Sequence, residues 1–178
     1  MHATLTDTGP HATPGPFKLL AIETSTHRVS VGALSPDTPE QLWTEEGEGG
    51  AQASANLLPM VSHLLARAQL KLSDLDAIVY GRGPGAFTGL RTATAVVQGL
   101  AYGTRTAHHP NGLPVLVVNT LLATAEAARH ILFSSGELAG NAPRVLTALL
   151  DARMDELYAA VYRFDNPALA AGTLLAGP

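Results

Sequence analysis

Between residues 81 and 101 the chain reads GRGPGAFTGLRTATAVVQGLA. Gly81, Gly83 and Gly85, with Pro84, crowd into five positions directly before a stretch of small and apolar residues. Glycine reaches backbone angles closed to other residues and lets a second segment approach closely. A turn of this kind at a helix start does one of two jobs. It cradles an anion on exposed amide groups, or it lets two pieces of backbone pack against each other. The preceding AIVY, residues 77–80, reads as a short buried strand, so the turn joins strand to helix.

The rest of the chain is organised around that turn. Phe17–Glu23 and Val29–Leu34 read as a β-hairpin, since Val29, Val31 and Ala33 alternate with Ser30 and Gly32. QLWTEEGE, after the turn-rich link SPDTPE, reads as a third strand of an antiparallel meander. From Ser54 the period becomes helical through Leu57, Val61, Leu64 and Ala68. Pro59 predicts that this helix starts or kinks there, because an interior proline costs about 3 kcal/mol. After the turn, Phe87, Leu90, Thr94, Val97 and Ala101 share one helix face, and Gly89, Ala93, Val96 and Leu100 its neighbour. So wide an apolar arc belongs in a core or at an interface. LPVLVVN is a strand, and TLLATAEAARHILF is a helix with Asn119 or Thr120 as N-cap. RVLTALLDAR and MDELYAAVYRF read as two strands around a short turn.

Composition narrows the function. The chain has 178 residues with 46% hydrophobic content, enough for one large domain or two lobes. It has no cysteine, so a disulfide framework, a thiolate zinc site and a cysteine nucleophile are excluded. This fits a reducing, cytoplasmic setting. A formal charge of −4 argues against holding nucleic acid alone, because that affinity comes from Lys and Arg. No apolar run approaches the roughly 20 residues that span a bilayer. MHATLTDTGPHATPGP lacks the basic start and apolar stretch of a secretion signal and reads as a flexible tail, 1–16.

The chemical candidates are incomplete. Gly81, Arg82, Gly83, Gly85 and Thr88 form a candidate nucleotide or phosphate loop. It has no lysine for a P-loop, and Thr88 stands where G-x-G-x-x-G needs its third glycine. Glu23, at the end of the first strand, is placed either to face a metal-bound phosphate or to sit at a solvated corner. The histidines, including the pair His108–His109, show no H-x-x-x-H or H-E-x-x-H spacing, so no metal site is expected. Asp151 and Arg153 suggest a turn-stabilising ion pair, with no nucleophile beside them.

LLAIETST, the long run from LLPMVSHLL through GRGPGAFTGLR to AYG, then PVLVVNTL and LLDARMDELYAAVY, occur in that order. In this the chain resembles the TsaB (YeaZ) family, over about residues 17 to 164. The segment GRGP-G-[SA]-F-T-G-[LV]-R is specific to that family. The resemblance implies an α/β, actin-like/Hsp70-like (ASKHA, ribonuclease H-like) fold of two lobes of mixed sheet plus helices. The lobes are expected at 17–112 and 113–178, the second incomplete beside the usual length of the family.

The resemblance further implies a role in forming N6-threonylcarbamoyladenosine at position 37 of tRNAs that read codons beginning with A. The family resembles a degenerate relative of the catalytic subunit, TsaD. That relative holds a metal through H-x-x-x-H on its first long helix, where this chain has QASANLLP and no histidine. The implied role is therefore a non-catalytic subunit that binds no cofactor alone. Its implied partners are a TsaD-like subunit and a TsaE-like ATPase, with ATP and magnesium used by the complex and tRNA reached only through it. The older label of glycoprotease-like peptidase finds no metal pair, Ser/His/Asp set or cysteine here. The family's partner surface, also its homodimer surface, is formed by the helices near 54–69 and 86–102. Leu57, Leu64, Phe87, Leu90, Ala93 and Val97 are the residues it implies there. The alternative is an ASKHA-type phosphotransferase or ATPase acting alone through Glu23 and the 81–89 loop.

Overall fold

A computed structural model describes residues 17–35, 37, 42–106, 110–137, 143–165 and 172–177. The expected tail 1–16, most of the SPDTPE link and the pair His108–His109 lie outside the described residues.

The first layer is a five-stranded sheet in the order β3-β2-β1-β4-β5. β1 (Leu19–Glu23), β2 (Arg28–Leu34) and β3 (Leu42–Glu48) form the expected antiparallel meander. β4 (Ala77–Gly81) and β5 (Val115–Val118) add parallel strands on the other side of β1. Strand alternation sends Leu20, Ile22, Val29, Val31 and Ile78 to one face, where all are buried. Helices α1 (Ala53–Arg67) and α2 (Phe87–Gly103) cover that face. α1 contributes Leu57, Val61 and Leu64, and α2 contributes Ala93 and Val97.

The second layer pairs α3 (Thr120–Ser134) with an antiparallel sheet of β6 (Arg144–Arg153), β7 (Glu156–Phe164) and β8 (Gly172–Ala176). Leu121 and Ala125 of α3 bury against Ala148, Ala160, Tyr162 and Phe164. Asn119 is the N-cap, its Oδ1 accepting from the amides of Leu121 at 2.8 Å and Leu122 at 3.3 Å.

Three features differ from the sequence reading. β5, which lies in the stretch read as the second lobe, pairs with β4 in the first sheet. Its run Val115–Val118 reads equally well in either sheet, and only the pairing decides. α1 begins at Ala53 and runs through Pro59. Pro59 and Ala55, the residue whose carbonyl loses its amide donor, both lie on the exposed side of the helix. β8 carries too short a run to mark itself and is held by its pairing with β7.

The burial makes a direct stability prediction. Leu64→Ala removes a side chain with no exposed surface and should lower unfolding free energy by about 3 kcal/mol. Phe87→Ala, at a residue 66% exposed, should change it by less than about 0.5 kcal/mol. Urea denaturation of the two variants checks both.

Candidate functional site

The parallel strands β1, β4 and β5 end together at Glu23, Gly81 and Val118. In an open α/β sheet ligands bind outside this rim. The glycine turn leaves β4 at the same place, so its geometry decides what the rim can do.

The turn is seated on the corner Glu23–Thr24–Ser25. A Cβ at Gly81 would collide with the Glu23 carboxylate, one at Gly85 with Ser25, and one at Gly89 with the carbonyl oxygen of Thr24. Gly83 has φ of 99°, a region that glycine enters without steric cost. The backbone groups of the turn are also engaged. The amide of Ala86 donates to Ser25 O at 2.6 Å, and that of Arg82 to Val118 O at 2.9 Å. Gly83 O accepts from the amide of Thr120 at 3.0 Å, tying the turn to the first residue of α3. Glu23 closes the corner, its Oε1 accepting from the amide of Ser25 at 2.6 Å.

Of the candidate phosphate loop, then, Gly81, Gly83 and Gly85 are packed against protein atoms, and the amides of Arg82 and Ala86 are used internally. The Arg82 side chain is exposed. Thr88 stands in the first turn of α2, whose leading amides have no partner within the helix. These amides border a cavity of about 720 Å³ between the two layers. Ser25, Thr26, His27 and Thr88 line it from the first layer, and Asp151, Arg153 and Tyr158 from the second. Asp151 and Arg153 do not form the expected ion pair. Asp151 Oδ1 instead accepts from the backbone amide of Arg153 at 2.7 Å, since the chain there is left-handed. Arg153, Met154 and Asp155 have φ of 69°, 55° and 62°, a costly state for non-glycine residues. No group of three metal-ligating side chains occurs among the described residues.

The six residues expected at a partner surface divide. Leu57, Leu64, Ala93 and Val97 are at most 1% exposed and hold α1 and α2 to the sheet. The apolar arc of α2 is wide because one stripe, Gly89, Ala93, Val97 and Ala101, faces the sheet. Phe87 is exposed and Leu90 half-buried, and these two alone remain on the surface.

Sequence reasoning missed two features. The hydroxyls of Thr24, Ser25 and Thr120 are buried around the turn without a hydrogen-bond partner; only the density of Thr and Ser beside the glycines hints at it. Tyr162 OH donates to Asn119 Oδ1 at 3.4 Å, linking β7 to the α3 cap. Burial pushes the Tyr162 phenol above its ordinary pKa, which keeps it protonated as a donor.

A family model described as TsaD, tRNA N6-adenosine threonylcarbamoyltransferase, matches residues 49–174. The chain is similar to the tRNA threonylcarbamoyladenosine biosynthesis protein TsaB of Escherichia coli K12, at 35% identity over 84% of this chain and 57% of that protein. The protein of the same name from Haemophilus influenzae matches at 35% over 79% of this chain and 51% of that one. The chain thus spans little more than half the length of these curated relatives. Among solved structures, YeaZ from Pseudomonas aeruginosa superposes with a TM-score of 0.70 at 35% identity, over 90% of this chain and 65% of the other.

The seating of the turn predicts opposite outcomes for two glycines on one helix. Gly99→Ala, where a Cβ meets nothing, should stabilise the protein by about 1 kcal/mol through helix propensity. Gly89→Ala gains the same propensity but drives its Cβ into Thr24, and overpacking of this kind costs about 3 kcal/mol, so the net effect should be destabilising. Thermal melts of both variants read the two signs. Thr120→Val should be neutral or stabilising by about 1 kcal/mol, because it removes a buried hydroxyl without a partner.

Proposed function

The chain belongs to the TsaB (YeaZ) family, within the wider family of tRNA N6-adenosine threonylcarbamoyltransferases, and on that premise we propose that it is a non-catalytic subunit supporting a TsaD-like catalytic subunit. The reaction supported is formation of N6-threonylcarbamoyladenosine at position 37 of tRNAs that read codons beginning with A. A TsaE-like ATPase joins the assembly, ATP and magnesium are consumed by the complex, and tRNA is reached through it. The setting is the cytoplasm; among the described residues no helix is long and apolar enough to cross a membrane. The mixed α/β architecture is the actin-like, ribonuclease H-like fold of this family.

One observation carries the proposal. The glycine faces of the 81–89 turn pack against the Glu23–Ser25 corner, the amides of Arg82 and Ala86 donate to Val118 O and Ser25 O, and Gly83 O accepts from the amide of Thr120. A turn packed in this way positions a helix. What it positions is the start of α2, where Phe87 stands 66% exposed. An exposed aromatic on a rigid helix is a typical interface anchor. Alone, the chain is expected to pair with a second copy through the same helix.

The phosphotransferase alternative draws on the cavity of about 720 Å³ between the layers, which Thr88 and Arg153 both line. Two measurements separate the readings. In a reconstituted tRNA modification assay, omitting this chain should abolish or strongly reduce product, and Phe87→Asp should do the same by preventing co-purification with the catalytic subunit. The isolated chain with ATP and magnesium should show no sustained turnover. Turnover that Glu23→Ala abolishes would overturn the supporting role.

A further inference from the structure

The exposed stripe of α2 carries a charge pattern that specifies its partner more narrowly. Phe87, Arg91, Ala95, Gln98 and Tyr102 follow one another on the outside of the helix, and Arg105 continues the stripe just past its end. The guanidinium of Arg91 lies 3.9 Å from the centre of the Phe87 ring, and that of Arg105 4.9 Å from the Tyr102 ring. Phe87 and Tyr102 nonetheless stay 66% and 69% exposed. Two shallow grooves, of about 340 and 350 Å³, run along this stripe and share Gln98. Neither Arg91 nor Arg105 has an ion-pair partner among the described residues.

The surrounding sequence supplies no counter-charge. From Ala77 to Ala125 there is no Asp or Glu, and none stands in α1 either. Yet the chain as a whole carries a net charge of −4. The α2 stripe is therefore basic on an acidic protein, whereas Arg67 and His63 of α1 are paired with Glu45. Arg91 and Arg105 lie seven residues either side of Gln98, and are separated by about 20 Å along the axis. A guanidinium already laid over an aromatic ring is oriented for a carboxylate and loses less freedom on pairing.

We infer that the α2 stripe docks an acidic helical face of a different protein, with an apolar contact over Ala95, a polar one at Gln98 and carboxylates near both ends, in preference to a second copy of this chain. This rests on the supporting-subunit reading and names the chemistry of its partner. The symmetry of the charges disfavours self-pairing. Two α2 helices packed antiparallel about Gln98 set Arg91 of each copy against Arg105 of the other, and like charges across an interface oppose association. RNA is the weaker candidate, because two unpaired arginines neutralise too few phosphates on a net-negative protein.

The test uses the full chain, the TsaD-like subunit of the same organism, and tRNA. Salt is raised from about 0.1 to about 1 M, which shrinks the screening length from about 10 to about 3 Å. Binding to the catalytic subunit should weaken by about tenfold or more, while self-association, freed of its like-charge repulsion, should strengthen. At low salt Arg91→Glu with Arg105→Glu should cost about tenfold or more in partner affinity, with an unchanged thermal melt. The Arg91→Gln, Arg105→Gln pair should fall between that variant and wild type. Partner affinity indifferent to both salt and charge reversal would overturn the inference while leaving the supporting role intact. So would tRNA binding by the isolated chain that charge reversal abolishes. Failure of the wild-type chain to bind the catalytic subunit at either salt would remove the supporting role, and this inference with it.

Discussion

The contact on which the rest of the structure depends is that of the 81–89 turn with the Glu23–Thr24–Ser25 corner. There the backbone of Gly89 lies against the carbonyl of Thr24, Gly85 against Ser25, and Gly81 against the Glu23 carboxylate. Protein interiors are close-packed, and a methyl group at Gly85 or Gly89 meets backbone atoms, while one at Gly81 requires the Glu23 carboxylate to move. The contact joins three parts of the chain. It fixes the end of β1 to the end of β4, it sets the start of α2 through the bond from Ala86 N to Ser25 O, and it anchors α3 through the bond from Thr120 N to Gly83 O. The two layers are thus tied at a point where their covalent connection, Val118–Asn119–Thr120, is also shortest.

From that joint follows the division of labour on α2. One stripe of small residues, Gly89, Ala93, Val97 and Ala101, lets the helix lie close on the sheet. The opposite stripe then stands clear of the protein with its aromatic rings and arginines. A helix whose start were free to fray would present that stripe without a fixed direction, and an interface anchored by few aromatic residues needs rigid anchors. The cavity between the layers sits behind the same joint, bordered by Thr88 on one side and the left-handed turn Arg153–Asp155 on the other.

Much of this is legible in the sequence. Alternation in Val29, Val31 and Ala33 marks the strand face that is buried, and the glycine cluster marks a backbone contact of unusual closeness. Asn119 and Thr120 mark the start of α3 by their capping chemistry, and Asn119 is the cap. Other features were illegible for physical reasons. The wide apolar arc of α2 does not say which stripe faces inward; the small residues do so, because only they permit close approach, and Leu57, Leu64, Ala93 and Val97 accordingly lie in the core. Val115–Val118 carries no label for the sheet it joins. Pro59 suggests a helix end, yet sits inside α1 on its exposed side. Asp151 and Arg153 read as an ion pair by charge alone, whereas the local backbone turns the carboxylate to an amide.

The central claim is that GRGPGAFTG is a structural joint and not an open ligand loop. Native-state hydrogen exchange of the Ala86 and Thr120 amides tests it most directly, since these two donors close the joint on its two sides. The account predicts that both exchange only through global unfolding, with the same free energy as the amides of β1 and β4. Fast exchange through local opening, slowed when ATP and magnesium are added, would contradict it.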